Sequence, residues 1–208
     1  KQLMSVVNIP NFIDINKLKY WVKMDIDANK YYYDEMNMTY TISNPKKAEW
    51  ILHKSIDKSK LIGNGNSSMD IITDDNDVID VGLLTLNNTY TNEKSIIQNT
   101  ENDDIDNLFK TKSSIPLIRM FRNKLKDKYN KYVENNIYYI IFVCNNNNIY
   151  LACLKLNINN IDNIRFGYFT KKSKSLIMNN IIDKKNGICK IYGAKKRVEL
   201  RLSKNITP

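Results

Sequence analysis

Two aspartates are the residues best placed to do chemistry. Asp70 lies in Ser67-Ser68-Met69-Asp70-Ile71-Ile72, and Asp80 in Val78-Ile79-Asp80-Val81-Gly82-Leu83-Leu84. Met69 to Thr73 reads as a short strand, Asp74-Asp75-Asn76-Asp77 as a turn and Val78 to Leu86 as a second strand. Antiparallel pairing across that turn would bring both carboxylates to one edge of the sheet. Two carboxylates held together repel unless something neutralises them. A hard divalent cation does so, and Mg2+ is commonly held by one or two carboxylates with water and phosphate completing its shell. The alternative is a surface hairpin whose aspartates are simply solvated.

The remaining side chains exclude much other chemistry. His53 is the single histidine, which removes multi-histidine metal sites and Ser-His-Asp triads. Catalysis would fall to carboxylates, lysines or tyrosines. The three cysteines, Cys144, Cys153 and Cys189, are an odd number, widely spaced in apolar runs. They do not read as a disulfide framework, so a reducing, cytoplasmic setting is expected. No apolar run approaches the ~20 residues of a membrane span. The first residues carry no signal-peptide pattern, and without an initiator Met the chain is expected to continue upstream.

Charge points toward a polyanionic partner. There are 32 Lys+Arg against 22 Asp+Glu, a net charge of +10, with a pI near 9.3 and a mean hydropathy of −0.47. The abundance of Asn, Ile and Lys is the habit of an A/T-rich genome, so part of this charge carries no functional information. Basic residues cluster at Arg119 and Arg122, at Lys171, Lys172 and Lys174, at Lys184 and Lys185, and at Lys195, Lys196 and Arg197. As DNA-binding candidates we take Arg119, Arg122, Lys171, Lys172, Lys174, Lys195, Lys196 and Arg197. Such residues give affinity and salt dependence by neutralising phosphates. Sequence choice needs base-edge contacts or DNA deformation. Any one cluster reads equally as a solvated surface.

The elements that must position these residues follow from periodicity. Ile15 to Glu35 has helical spacing, with Leu18, Trp21, Val22, Asp25 and Ile26 near one face. Ser43-Asn44-Pro45 reads as the start of a helix running through Trp50 and Leu52 to about Ile56. The packing reading suits Trp21, Trp50 and His53. Gly63-Asn64-Gly65-Asn66 reads as a loop. Thr91 to Asn99 reads as a helix capped by Thr91 or Asn92, and Asp103 to Lys112 as another. Ile115 to Glu134 carries an amphipathic stripe of Leu117, Ile118, Phe121, Leu125, Tyr129 and Tyr132. That stripe suits a core face, or an interface. From Ile137 the chain turns to β. Ile137–Cys144 and Ile149–Leu156 flank Asn145 to Asn148, a hairpin pattern with a four-residue turn. Ile164–Thr170, Leu176–Ile182, Gly187–Gly193 and Val198–Leu202 are further strands. With 208 residues, no repeat and no Pro/Gly-rich hinge, this is one mixed α/β domain over 1–208, helical first and β-rich later.

Taken together, Gly63 to Ser68, Asp70, Asp80 and Thr91-Asn92-Glu93-Lys94-Ser95-Ile96-Ile97-Gln98-Asn99 resemble the PD-(D/E)xK nuclease core of type II restriction endonucleases. In that family a Gly- and Ser-containing loop precedes an acidic residue, and a short turn leads to a strand carrying a second acid, a spacer and a lysine. Many members follow with an Asn-Glu-x-Ser…Gln stretch on a helix. The matching segment, about Leu61 to Phe109, is under a quarter of the chain. The resemblance implies a central mixed β-sheet flanked by helices, with a catalytic core over about 61–144. It implies Mg2+-dependent hydrolysis of phosphodiester bonds in double-stranded DNA. Asp70, Asp80 and the backbone carbonyl of Val81 would hold the metal, and Glu93, Lys94 and Gln98 would complete the catalytic set.

One departure matters. The family's lysine should stand at position 82, where this chain has Gly82. That lysine positions the attacking water and stabilises charge on the phosphate. Three accounts stand: another residue supplies the function, Lys94 first and Gln98 second; the site is degenerate and the protein only binds; or the register is shifted. The resemblance also implies a palindromic target and a homodimer, each subunit cutting one strand. Two rivals remain: a basic nucleic-acid-binding protein without catalysis, and a phage or toxin-system nuclease with the same core. No helix-turn-helix or aromatic RNA-binding pattern supports the first.

Overall fold

The structure, a computed structural model, describes residues 1–63, 69–85, 92–97, 105–172, 174–193, 197–203 and 206, with 92–97, 105–106 and 166 described by their backbone. In chain order the elements are β1 (Met4–Val7), α1 (Ile15–Glu35), α2 (Pro45–Lys54), β2 (Lys60–Leu61), β3 (Ile71–Ile72), β4 (Val78–Thr85), β5 (Asn92–Ile97), α3 (Ile105–Lys110), α4 (Ser114–Tyr129), β6 (Ile137–Asn145), β7 (Asn148–Leu156), β8 (Arg165–Phe169), β9 (Ser175–Asn179), β10 (Gly187–Tyr192) and β11 (Arg197–Leu202). The fold is mixed α/β, as expected. Among the described residues no helix is long and apolar enough to cross a membrane.

The chain divides into two compact units, each assembled from separated segments. One comprises Val6–Tyr90, Glu134–Lys155 and Thr207–Pro208; the other comprises Lys1–Ser5, Thr91–Val133 and Leu156–Ile206. No linker pattern marks them, because neither is continuous in sequence.

The first of these, the Asp-pair unit, is built on a six-stranded mixed sheet in the order β1-β7-β6-β4-β3-β2. Strands β2, β3 and β4 pair antiparallel, and β4 then runs parallel to β6 from Val78↔Ile137 to Thr85↔Cys144. The two-residue turn between β6 and β7 corrects the four-residue turn expected from sequence. Asn146 and Asn147 both adopt positive φ, 47° and 64°, the left-handed pair that lets a hairpin close tightly, so Asn145 and Asn148 stay in the strands.

Two helices cover one face of this sheet. Asp14 caps α1, its Oδ1 accepting from the N–H groups of Asn16 and Lys17 at 3.0 and 3.1 Å. Asn44 caps α2 by accepting from Lys47 N–H at 2.8 Å, with Pro45 in the first turn. Trp21 and Trp50 meet edge to face at 5.0 Å between ring centroids, locking α1 to α2. Below them Ile51, Leu52, Ile71, Ile79, Val81, Ile140 and Phe142 form the core. The expected packing role of both tryptophans is what the structure places there.

The other unit holds a five-stranded sheet in the order β5-β11-β10-β9-β8. Here the expected helix over Thr91 to Asn99 is overturned: Asn92–Ile97 is strand β5, antiparallel to β11. A short segment ending in Ser-Ile-Ile is a poor isolated helix, and the open edge of β11 offers it a full ladder of hydrogen bonds. Helix α4 buries Leu117, Ile118, Phe121, Leu125 and Tyr129, so its stripe is a core face. It ends at Tyr129, and Asn130–Tyr132 follow as a 3-10 turn.

Candidate functional site

The site is assembled around the start of β3. Asp70 immediately precedes the strand; the paired register ends at Ile71↔Ile79, and beyond it the Asp70 carboxylate reaches Val81, the residue after Asp80. Hydrogen bonds within the hairpin and to the residue after β2 hold Asp70. Its N–H donates to Ile79 O at 2.9 Å, its carbonyl accepts from Ile62 N–H at 2.9 Å, and its Oδ2 accepts from Val81 N–H at 2.8 Å. A carboxylate accepting a backbone N–H is stabilised in its charged form. Both aspartates are half-buried.

The turn that brings them together is rigid. Thr73 N–H donates to Asp77 O at 2.9 Å, Asp77 N–H donates to Thr73 Oγ1 at 3.1 Å, and Asn76 takes φ 60°. Asn136 Nδ2 donates to Asp77 Oδ1 at 2.9 Å, tying the turn to the start of β6. Of the acidic run in this turn, Asp77 is therefore structural, while Asp74 and Asp75 are exposed.

Strand alternation fixes which groups share the site. Ile79 and Val81 point into the helix-covered core, so Asp80 and Gly82 project from the opposite face. The position where the resembled family carries lysine thus stands on the face of Asp80, with no side chain to offer. Within a strand residue, N–H and C=O point to the same neighbour. The Val81 N–H points to Asp70, so the Val81 carbonyl faces that side as well.

The structure brings two further charged residues to Asp70. Lys46 and Glu49 lie one turn apart at the start of α2, with Lys46 Nζ 2.8 Å from Glu49 Oε2 and 3.4 Å from Gly63 O. A Cβ placed on Gly63 would stand 3.0 Å from Asp70 Oδ1 and 3.7 Å from Lys46 Nζ. The bare backbone of Gly63 therefore lets the carboxylate and the ammonium approach across it. The hydrogen bond to Glu49 holds the Lys46 ammonium above its ordinary pKa; burial opposes it, and the charges of Glu49 and then Asp70 add to it. Glu49 keeps only 14% of its side chain exposed. Sequence reading missed this pair because a Lys and a Glu three apart on a helix are ordinary; only the packing of α2 beside Gly63 gives them meaning.

Glu93 and Lys94 sit on β5, in the sheet of the other unit, opposite Arg201 and Leu200. They are on a strand, not the helix expected for them. Gln98 lies outside the described residues, as do Ser67 and Ser68 of the loop. Among the described residues no group of three or more His, Cys, Asp or Glu is placed to hold a metal ion. The donors at hand are the two aspartates and a backbone carbonyl, an all-oxygen set suited to a hard cation that keeps several waters.

The basic candidates divide by environment. Arg119 on α4, Lys171 and Lys172 in the turn after β8, and Lys174 are exposed. Arg122 is half-buried, and its guanidinium donates to the Ile164 carbonyl. Arg197 pairs through Nε with Glu199 Oε1; Glu199 is fully buried and also lies 3.9 Å from Lys190 Nζ. Lys195 and Lys196 lie outside the described residues. The three cysteines are free and buried, and burial pushes the Cys153 thiol up to about 12. Such thiols are inert.

No family model matches this chain, and neither do any curated protein or solved structure.

Proposed function

We propose that this chain is a Mg2+-dependent, site-specific endonuclease that hydrolyses phosphodiester bonds in double-stranded DNA, in the manner of a type II restriction enzyme. The observation that carries the reading is the Asp70 carboxylate accepting from the Val81 N–H, next to Asp80 on β4, in a mixed sheet with one face covered by helices. Like charges close together destabilise a hairpin. A site that keeps them there, with a backbone carbonyl alongside, fits a group that needs anionic oxygen ligands. Asp70, Asp80 and the Val81 carbonyl would hold the ion. When bound, Mg2+ would lower the pKa of a water and offset charge gathering on the phosphate.

The chain's own residues supply the rest. Lys46, held protonated by Glu49, offers the cation that Gly82 cannot, beside Asp70. It takes the place in the reading that sequence gave to Lys94. Its ammonium would stabilise the negative charge that grows on the phosphate oxygens as the bond breaks. Glu49 would position Lys46 through their 2.8 Å contact. Exposed Arg119, Lys171, Lys172 and Lys174 would neutralise backbone phosphates. A palindromic site would call for a two-fold homodimer.

A second reading, a basic nucleic-acid-binding protein without catalysis, is favoured by one observation: the side chain at position 82 is absent from the face of the acidic pair. The two separate on one gel. A long mixed-sequence DNA is incubated with the protein in Mg2+ and in EDTA. Discrete fragments in Mg2+ alone support the nuclease. Shifted, uncut DNA in both lanes supports the binding protein.

A further inference from the structure

An open groove of about 610 Å³ runs across β8, β9 and β10, on the sheet of the unit that lacks the aspartate pair. Its floor is shaped by Gly167. There the β8–β9 register shifts between Phe166 and Tyr168, and a Cβ on Gly167 would come within 3.1 Å of Ile177 O and 3.2 Å of Asn179 Oδ1. A bulge of this kind re-aims the following side chain. Tyr168, on the edge strand β8, is accordingly 65% exposed and lies on the groove.

The lining is chemically specific. Arg165 and Lys184 are its cations, and among the described lining residues there is no Asp or Glu. Arg165 is held in place, its Nη1 donating to Asp162 O at 2.8 Å and to Ile164 O at 3.2 Å. Asn179 brings an amide, which can both donate and accept. Ile177, paired with Tyr168 across β8 and β9, gives an apolar neighbour beside the tyrosine.

We propose that this groove binds single-stranded nucleic acid, with an unpaired base stacked on Tyr168 beside Ile177 and backbone phosphates at Arg165 and Lys184. Fixed cations beside an exposed aromatic face are the combination that single strands need. A duplex hides its base faces and would leave nothing to stack on Tyr168. An acidic peptide would use the two cations alone. The site is separate from Asp70 and Asp80 in sequence and chemistry, so it stands whether or not the chain cuts DNA.

The test is fluorescence anisotropy with the full chain in EDTA, which silences metal-dependent cleavage. The probes are labelled oligothymidylate and oligouridylate, with a blunt DNA duplex and polyglutamate as competitors. Oligothymidylate or oligouridylate should bind, the tighter of the two telling DNA from RNA. Tyr168→Ala should weaken that binding about 5- to 100-fold, the range of one lost base stack, and Tyr168→Phe should restore it. Lys184→Gln should flatten the salt dependence by about 0.7 in log–log slope. Tyr168 is exposed, so thermal melting of Tyr168→Ala should match the parent. Equal binding by Tyr168→Ala, or displacement by duplex or polyglutamate as readily as by unlabelled single strand, would overturn the proposal. Because cleavage is measured separately in Mg2+, loss of either activity leaves the other interpretable.

Discussion

The Asp70 carboxylate accepts from the Val81 N–H, next to Asp80, and in the proposed reading that proximity of two acids makes opposite demands on stability and function. Asp80→Asn removes a like-charge repulsion, so its melting temperature in EDTA should equal or exceed the parent's. Cleavage in Mg2+ should fall at least about 100-fold while DNA binding persists. If Asp80→Asn cuts at the parent rate, the assignment of the acidic pair is wrong. Lys46 and Lys94 offer a direct contrast. Lys46→Met should lower cleavage about 10²- to 10³-fold, the scale of one lost charge-stabilising donor, and Lys94→Met should leave it near the parent value. The reverse order would restore Lys94 to the site. His53 gives a stability signature. Burial, then the charge of Lys54, holds its pKa below the ordinary 6.5, while Nδ1 pairs with Ser59 Oγ at 2.7 Å. The unfolded chain then binds the proton more readily. The His53 contribution is whole above pH 6.5 and is lost as pH falls through the depressed folded value. Urea midpoints across that window should drop with acid in the parent and drop less in His53→Gln. The hairpin that carries Asp70 and Asp80 was legible in sequence because only a tight turn separates its strands. Lys46 and Glu49 were not, since nothing local tells that α2 lies against Gly63.

At the scale of elements, helix starts with local capping signals were readable, helix ends less so, and strands whose partners come late were not. Helix α1 runs from Ile15 to Glu35 as its spacing requires, and Asn44-Pro45 starts α2 as its capping chemistry requires. Strand β5 pairs with β11, which follows about a hundred residues later, so its own sequence showed only a cap-like start and an apolar end. Strands β10 and β11 carry a charge cluster that hydrophobic patterning does not anticipate. Lys190 lies opposite Glu199, with relative exposures of 5% and 0%, and Arg197 closes on the same carboxylate. Glu199→Ala would strand the buried Lys190 ammonium in a low-dielectric sheet, at a cost of about 3–5 kcal/mol. Chemical denaturation should show it as a lowered midpoint with an unchanged slope. Helix α4 separates two arginines that sequence treated alike. Arg119→Gln should reduce the salt dependence of duplex binding by about 0.9 in log–log slope. Arg122→Gln should reduce stability instead, because its guanidinium holds the Ile164 carbonyl.

Over the whole molecule, a charge of +10 sets a non-specific attraction to any polyanion, and the two sheets divide its use. One sheet presents neighbouring acids, the other a groove free of acids among its described lining residues. Composition could announce a polyanion, but not that division, because it depends on which segments gather into which unit. That gathering also governs the order in which the protein can be born. A ribosome emits a chain at roughly 5–20 residues per second, and domains usually close as they emerge. Here β4 must wait for β6, and Leu3 and Met4, both fully buried, wait for Asn180 and Ile181, whose carbonyls accept their N–H groups at 3.0 and 2.7 Å. Neither unit can close on a nascent chain until residues far downstream have left the exit tunnel. The acidic pair would therefore take its final place late in synthesis, after the bulk of a highly basic chain is already exposed to cellular polyanions.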